Sequence, residues 1–207
     1  MAAAGLTAQD VAFIICATST PDQLLPSTAA LIAHRLGARC GAIDLNAGCS
    51  GFAYALAVGS AMQRTTPAGH VLVIGADTYS RFLNWRDRNS AFFFGDGAGA
   101  AVLGTSAQDW LLATCYGSDG SGAHAIEIPA GGSRLPATAA RIEDNMTTFR
   151  MRGREVAAFV RKQLPRMVHE VVERSNLKLS DVALVIPHQA NERLLTNCAD
   201  DIGVGLA

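Results

Sequence analysis

Short apolar runs alternate with segments of helical periodicity along most of this chain. Residues 11–17 form an unbroken apolar run of strand length, 27–36 repeat with helical spacing, and 41–46 return to a strand pattern. Residues 50–64 then read as a helix with Ala53, Leu56, Ala57 and Met62 available to bury, and Val71 to Ala76 form a third buried strand. Unbroken apolar strands alternating with amphipathic helices predict a mostly parallel sheet covered on both faces. Further on, Phe92-Phe93-Phe94 and Ala100 to Leu103 are two apolar runs separated by Gly95-Asp96-Gly97-Ala98-Gly99. The glycine cluster predicts a tight strand–turn–strand connection in which Asp96 bonds its own turn. A strand-like run follows the cluster rather than a helix, so it does not fit a dinucleotide-binding fingerprint.

The second half is patterned differently. Residues 105–150 are rich in Gly, Ser and Thr and predict a surface excursion. A long helix is expected from about Arg154 to Ser175, burying Val156, Val160, Leu164, Met167, Val168, Val171 and Val172, with a kink or loosened turn at Pro165. Asp181 to Ile186 reads as a buried strand. It ends in Pro187-His188-Gln189-Ala190-Asn191, and a helix carrying Leu194, Leu195, Cys198 and Ile202 follows.

The two halves echo one another. Leu6 to Ile15 can be laid on Leu177 to Ile186 with five of ten positions identical, and each segment leads through a polar stretch to a helical pattern closing on glycine, at Gly37 and Gly203. Strand–turn–helix units resemble one another by chance, but a duplicated α/β architecture is the stronger reading. It makes Thr18-Ser19-Thr20 and His188 counterparts, and divides the chain at 1–105 and 106–207.

Composition narrows the class. At 207 residues, 49% hydrophobic and 17% charged, the chain can bury a substantial core, and a net charge of −1 argues against nucleic acid as the main partner. No apolar run is long enough for a membrane span, and residues 1–10 lack the pattern of a signal peptide. The five cysteines, at 16, 40, 49, 115 and 198, have neither paired nor metal-ligand spacing and fit free thiols in a reducing cytoplasmic setting. No metal site is expected.

Two residues carry candidate chemistry. Cys49 lies in Asn46-Ala47-Gly48-Cys49-Ser50-Gly51-Phe52, at the seam between a strand and the start of a helix, where the helix dipole and free N–H groups favour a thiolate. Gly48 and Gly51 leave room for a substrate carbonyl. A buried, inert cysteine suits the same position. His188 follows the expected strand at 181–186, the end at which α/β sheets carry their chemistry, although a lone histidine there is often structural. A thiol and an imidazole at two such strand ends favour a shared catalytic site.

Together, the segments Asn46 to Phe52, Gly95 to Ala100 and Pro187 to Asn191 resemble the β-ketoacyl-acyl-carrier-protein synthase III family, with Asp87-Arg88 and Met151-Arg152-Gly153 adding to the match. The resemblance runs over essentially the whole chain, with the motifs in family order. It implies a thiolase-like duplicated α/β architecture with mostly parallel or mixed sheets covered by helices, truncated at both ends. It also implies an acyltransferase in which Cys49 takes an acyl group from acyl-CoA. His188 then assists decarboxylative condensation with a malonyl-acyl-carrier protein, initiating fatty-acid or polyketide synthesis. No permanently bound cofactor is implied; acyl-CoA is a substrate.

Other assignments rest on the same resemblance. Arg88 matches a residue stacking on the adenine of CoA, Asn191 one lining the pantetheine tunnel, and Leu25 one closing the partner's acyl pocket across a homodimer interface. Met151 and Gly153 belong to the same substrate-binding set. Ordinary solvated or capping roles are the alternatives. Arg150, Arg152, Arg154, Arg161, Lys162 and Arg166 crowd into a basic strip, joined by Arg193. The strip reads either as a solvated helix face or as a docking surface for an acidic carrier protein, and docking is favoured. The family's catalytic Asn and second oxyanion N–H are expected beyond residue 207, and its first strand and helix before residue 1. A related secondary-metabolism acyltransferase without condensation, and a catalytically incomplete fragment, are the other readings.

Overall fold

A computed structural model describes residues 1–65, 69–88, 90–106 and 110–204. Two compact units emerge: Met1–Thr78 with Asp96–Leu111, and Tyr79–Gly95 with Leu112–Ala207.

The first unit is a helix-covered sheet. Its elements are β1 (Val11–Ala17), α1 (Thr28–Leu36), β2 (Gly41–Leu45), α2 (Gly51–Thr65), β3 (His70–Thr78) and β4 (Asp96–Leu103). Strand order is β2-β1-β3-β4. The first three strands run parallel, and β4 pairs antiparallel with β3 from Val71↔Leu103 to Thr78↔Asp96. The chain steps from β1 outward to β2 and then back across to β3. Right-handed crossovers in opposite directions put their helices on opposite faces. The side-chain alternation of the strands follows this division. Ile14, Cys16 and Leu72 pack with Ala29 and Ala33 of α1, whereas Ile15, Ala17, Val71 and Val73 pack with Ala55 of α2. Ile14, Ile15, Val71 and Val73 are fully buried, each stabilising the fold by about 1.5–3 kcal/mol.

Small residues let α2 settle close to the sheet. A Cβ added at Gly59 would lie 2.9 Å from Leu103 and 3.0 Å from Val73, and one at Gly51 3.3 Å from Ala17. The other helix, α1, is closed at both ends. The Ser27 hydroxyl accepts from the Ala30 N–H, and Gly37 ends the helix in the left-handed conformation.

The glycine cluster departs from expectation. Gly95 to Gly99 is no turn: β4 begins at Asp96 and runs through the glycines, while Ala91–Phe93 form a 3-10 turn instead of a strand. Eight consecutive residue pairs with β3 hold the segment extended, so its register with a buried neighbour outweighs the turn preference of its glycines.

In the second unit, β5 (Ile126–Glu127) and β6 (Arg150–Met151) form a short ladder, with α3 (Ala139–Glu143) between them. The long helix α4 (Gly153–Arg174) continues through Pro165, whose missing N–H leaves the Arg161 carbonyl without its helical partner. Its apolar stripe is only half-buried, and no residue of α4 is fully buried, contrary to the sequence reading. The last helix, α5 (Glu192–Ile202), buries Leu195, Cys198, Ala199 and Ile202.

Residues 182–190 form no strand, which corrects the expectation of a buried strand at 181–186. Leu184 is 52% and Ile186 80% exposed. Val185 and Pro187 turn inward against Leu164, Leu195, Cys198 and Ala199, so the two-residue alternation of a strand survives. Among the described residues no neighbouring strand supplies ladder hydrogen bonds, and apolar character alone does not make a strand.

The internal echo does extend to local structure. Asp10 accepts from the Thr7 N–H at 2.7 Å and Asp181 from the Lys178 N–H at 2.9 Å, each closing a 3-10 turn before an extended segment. A helix capped by Ser27 or Asn191 follows, ending on a left-handed glycine, Gly37 or Gly203.

Candidate active site

Three parallel strands bring their C-terminal ends to one edge of the first unit, and β1 is the strand at which the connections reverse direction. That is where open α/β sheets bind ligands. Cys49 sits just past β2 in a 3-10 turn, Gly48–Ser50, that runs directly into α2. Gly48 has φ +54°, a left-handed conformation that L side chains rarely adopt, and a Cβ there would meet nothing within 4 Å. The turn is therefore set by backbone conformation.

The residue is exposed. Its thiol is nonetheless pushed above the ordinary range, chiefly because surrounding atoms desolvate the sulfur and further because of the Asp77 carboxylate. A backbone hydrogen bond at Cys49 acts in the opposite sense but is the weaker influence. Loss of hydration thus acts against the thiolate that the helix start is expected to favour.

A hydrogen-bond network that the sequence reading did not assemble surrounds this turn. Asp77, on the last turn-ward stretch of β3, accepts through Oδ1 from the Ser19 N–H at 2.8 Å, the Thr20 N–H at 3.1 Å, the Thr20 hydroxyl at 2.9 Å and the Thr18 hydroxyl at 3.3 Å. The Ser19 hydroxyl donates to Asn46 Oδ1 at 2.8 Å, and that same oxygen accepts from the Gly48 N–H at 3.3 Å. Thr20 Oγ1 in turn accepts from the Thr78 N–H at 2.8 Å. The signal available in the sequence is an acidic residue closing the apolar run 70–76, where an unpartnered carboxylate is costly.

In the second unit, His188 is exposed within the irregular 182–190 segment, not at the end of a strand. Its carbonyl accepts from the Ala190 N–H at 2.9 Å. Asn191 caps α5, its Oδ1 accepting from the Leu194 N–H at 3.1 Å. Arg88 is exposed beyond a turn closed by the Asp87 N–H on the Asn84 carbonyl at 2.8 Å. Met151 pairs with Ile126, and Gly153 starts α4. In the first unit, Leu25 is 84% exposed.

Several basic residues of the strip have intramolecular partners. Arg152 pairs with Glu155 at 3.3 Å, Arg161 with Asp201 at 3.7 Å and Arg166 with Glu170 at 3.1 Å, while Arg150 donates to the Asp144 and Asn145 carbonyls. The Arg152 and Arg161 pairs are exposed on both sides and so contribute little to stability, whereas Glu170 is half-buried beneath an exposed Arg166. Among the described residues no cluster of three or more His, Cys, Asp or Glu could hold a metal ion, and no helix is long and apolar enough to cross a membrane.

Similarity to known proteins converges on one family. The family model for 3-oxoacyl-[acyl-carrier-protein] synthase III matches residues 43–120, which include Cys49 and Asp77. The β-ketoacyl-[acyl-carrier-protein] synthase III of Caldanaerobacter subterraneus subsp. tengcongensis is 44% identical over 194 residues, 93% of this chain and 59% of the relative. A crystal structure of a 3-oxoacyl-(acyl-carrier-protein) synthase III superposes with TM-score 0.92 at 30% identity, over 99% of this chain and 64% of that one. The priming β-ketosynthase of the R1128 polyketide biosynthetic pathway gives TM-score 0.87 at 29% identity, over 98% and 60% of the two chains. The chain thus spans about three fifths of the length of the relatives it matches. Its α/β elements, its sheet and its sequence agree: over the part of their length that it spans, the chain is similar in fold and sequence to the β-ketoacyl-[acyl-carrier-protein] synthases III.

Proposed function

We propose that this chain carries the acyl-accepting chemistry of a condensing enzyme, with Cys49 as its nucleophile. The observation that supports this best is the position of Cys49, exposed on a left-handed glycine turn at the switch-point end of the sheet. The Cys49 sulfur attacks the carbonyl carbon of an acyl-CoA thioester. An S–C bond forms, the bond to CoA breaks, and CoA leaves as its thiol with the proton from Cys49. The Cys49 N–H helps to hold the tetrahedral oxyanion. A malonyl-carrier thioester then loses carbon dioxide, and His188 donates a hydrogen bond to the thioester oxygen of the resulting enolate. The enolate carbon attacks the acyl-cysteine carbonyl, a C–C bond forms and the C–S bond breaks, giving a β-ketoacyl carrier protein, and the Cys49 thiolate that leaves takes up a proton from solvent.

The remaining assignments follow the same reading. Arg88, Met151, Gly153 and Asn191 contact CoA or its pantetheine arm, with Asn191 doing so beside its capping bond. Leu25 reaches across a homodimer to the partner's acyl pocket. Of the docking strip, the exposed Arg154, Lys162 and Arg193, together with Arg150, Arg152, Arg161 and Arg166 at its paired positions, steer an acidic carrier protein. The work takes place in the cytoplasm, on soluble substrates.

The likeness to a polyketide priming ketosynthase favours one second reading, an acyl transfer that serves a secondary-metabolite pathway. A single assay separates the options. The chain is incubated with radiolabelled acyl-CoA and malonyl-carrier protein while protein-bound label and released carbon dioxide are followed. The condensing reading predicts both signals, loss of both in Cys49→Ala, and loss of carbon dioxide alone in His188→Ala. Label without carbon dioxide in the unaltered chain supports transfer without condensation, and absence of both refutes the proposal for this chain.

A further inference from the structure

Among the described residues the carboxylate of Asp77 has no partner of opposite charge, yet its Oδ1 gathers four donors, all from Thr18, Ser19 and Thr20. Those donors lie 57 to 59 residues earlier in the chain, on the loop that leaves β1. Concentrating two backbone N–H groups and two hydroxyls on one oxygen fixes the loop where it passes the end of β2. There the Ser19 hydroxyl reaches Asn46, and Asn46 reaches the amide of Gly48, one residue before the thiol. The result is a continuous chain of hydrogen bonds from β3, through the loop after β1, to the nucleophile turn after β2.

We propose that Asp77 is a positioning residue for Cys49, acting through Ser19 and Asn46 on the Gly48 amide, one residue before the thiol. The proposal rests on the reading of Cys49 as the nucleophile. Charge-assisted bonds from N–H and O–H groups are about twice as strong as neutral ones, so the carboxylate is a firmer anchor than a neutral side chain. The same charge lies close enough to disfavour the thiolate. The turn is therefore held in place at the cost of a less acidic thiol.

The other acids at this end of the sheet are differently engaged. Both oxygens of Asp44 accept from the first N–H groups of α1, at Thr28 (2.7 Å) and Ala29 (2.8 Å). Asp22 and Asp44 act on the buried Cys16. Asp96 stands opposite Thr78 in the β3–β4 ladder. Of these carboxylates, Asp77 is the one whose charge bears on Cys49.

Two substitutions separate charge from anchoring. Asp77→Asn keeps an acceptor oxygen and removes the charge, whereas Ser19→Ala keeps the charge and cuts the link to Asn46. Iodoacetamide alkylation of Cys49, followed by mass spectrometry across pH, reads the thiol. Amide hydrogen exchange at Gly48 reads the turn. Asp77→Asn is expected to move the alkylation midpoint to lower pH, with a roughly threefold faster rate near neutrality. Ser19→Ala is expected to leave that midpoint in place and to speed Gly48 exchange about fivefold, the loss of one hydrogen bond. An Asp77→Asn profile that superimposes on that of the unaltered chain overturns the proposal, as does unchanged Gly48 exchange in Ser19→Ala. A Cys49 that alkylates but never accepts an acyl group instead refutes its role as nucleophile, and the same two profiles still decide the role of Asp77.

Discussion

At the scale of the residue, position 49 combines exposure with a suppressed acidity. Glycines at 48 and 51 open the turn, and α2 begins immediately after it, yet desolvation chiefly, with a smaller part from the Asp77 charge, pushes the thiol above its ordinary range. Residue type and spacing pointed to Cys49, because a cysteine between two glycines at a strand–helix seam is visible in one dimension. The partners of its turn were not visible: Asp77 and Ser19 are separated by 58 residues, and no local pattern joins them. The direction of the shift gives a sharp expectation. Thiol-specific alkylation of Cys49 should reach half its maximal rate above the ordinary cysteine pKa of about 8.5. A midpoint near 7 would show that the helix start prevails over desolvation.

At the scale of the element, α2 carries the nucleophile turn at its head and depends on small residues to lie against the sheet. Gly59→Val places branched methyl groups where a single Cβ already meets Leu103 and Val73 at 2.9 and 3.0 Å. The expected cost is about 1–3 kcal/mol, read from the urea midpoint. In α5, Asn191→Ala removes the side-chain acceptor of the Leu194 N–H, with an expected loss of about 1 kcal/mol measured in the same way. The elements β1, α1, β2, α2 and β3 were legible because each carries its own signal: apolar runs of strand length, helical spacing between them, and Gly37 closing α1. The failures share a cause. Gly95 to Gly99 looks like a turn and Val182 to Ile186 looks like a strand, but pairing with a distant segment decides both. The first has β3 beside it, and the second has no such neighbour among the described residues.

At the scale of the whole molecule, buried thiols and exposed apolar residues govern behaviour. Cys16 is fully buried in the first unit, and burial together with the Asp44 and Asp77 charges pushes its thiol up to about 11. Its folded pKa exceeds its unfolded one, so its contribution to stability is complete below the unfolded value of about 8.5. That contribution falls away as pH rises towards 11. Denaturation midpoints should decline across this interval, and Cys16→Ala should flatten the slope even though its cavity lowers stability at every pH. Leu184 and Ile186 present the opposite case. Both are largely exposed, so replacing each by Asp should change the stability of this 207-residue chain by no more than about 0.5 kcal/mol while reducing its self-association.

Accepting an acyl group at Cys49 underlies every later step, and intact mass spectrometry after exposure to a panel of acyl-CoAs tests it most directly. The expected result is a single acyl adduct per chain, absent in Cys49→Ala and reversed by hydroxylamine as a thioester must be. A folded chain that gains no adduct, or gains one that persists in Cys49→Ala, would contradict the assignment of Cys49 as the nucleophile of this chain.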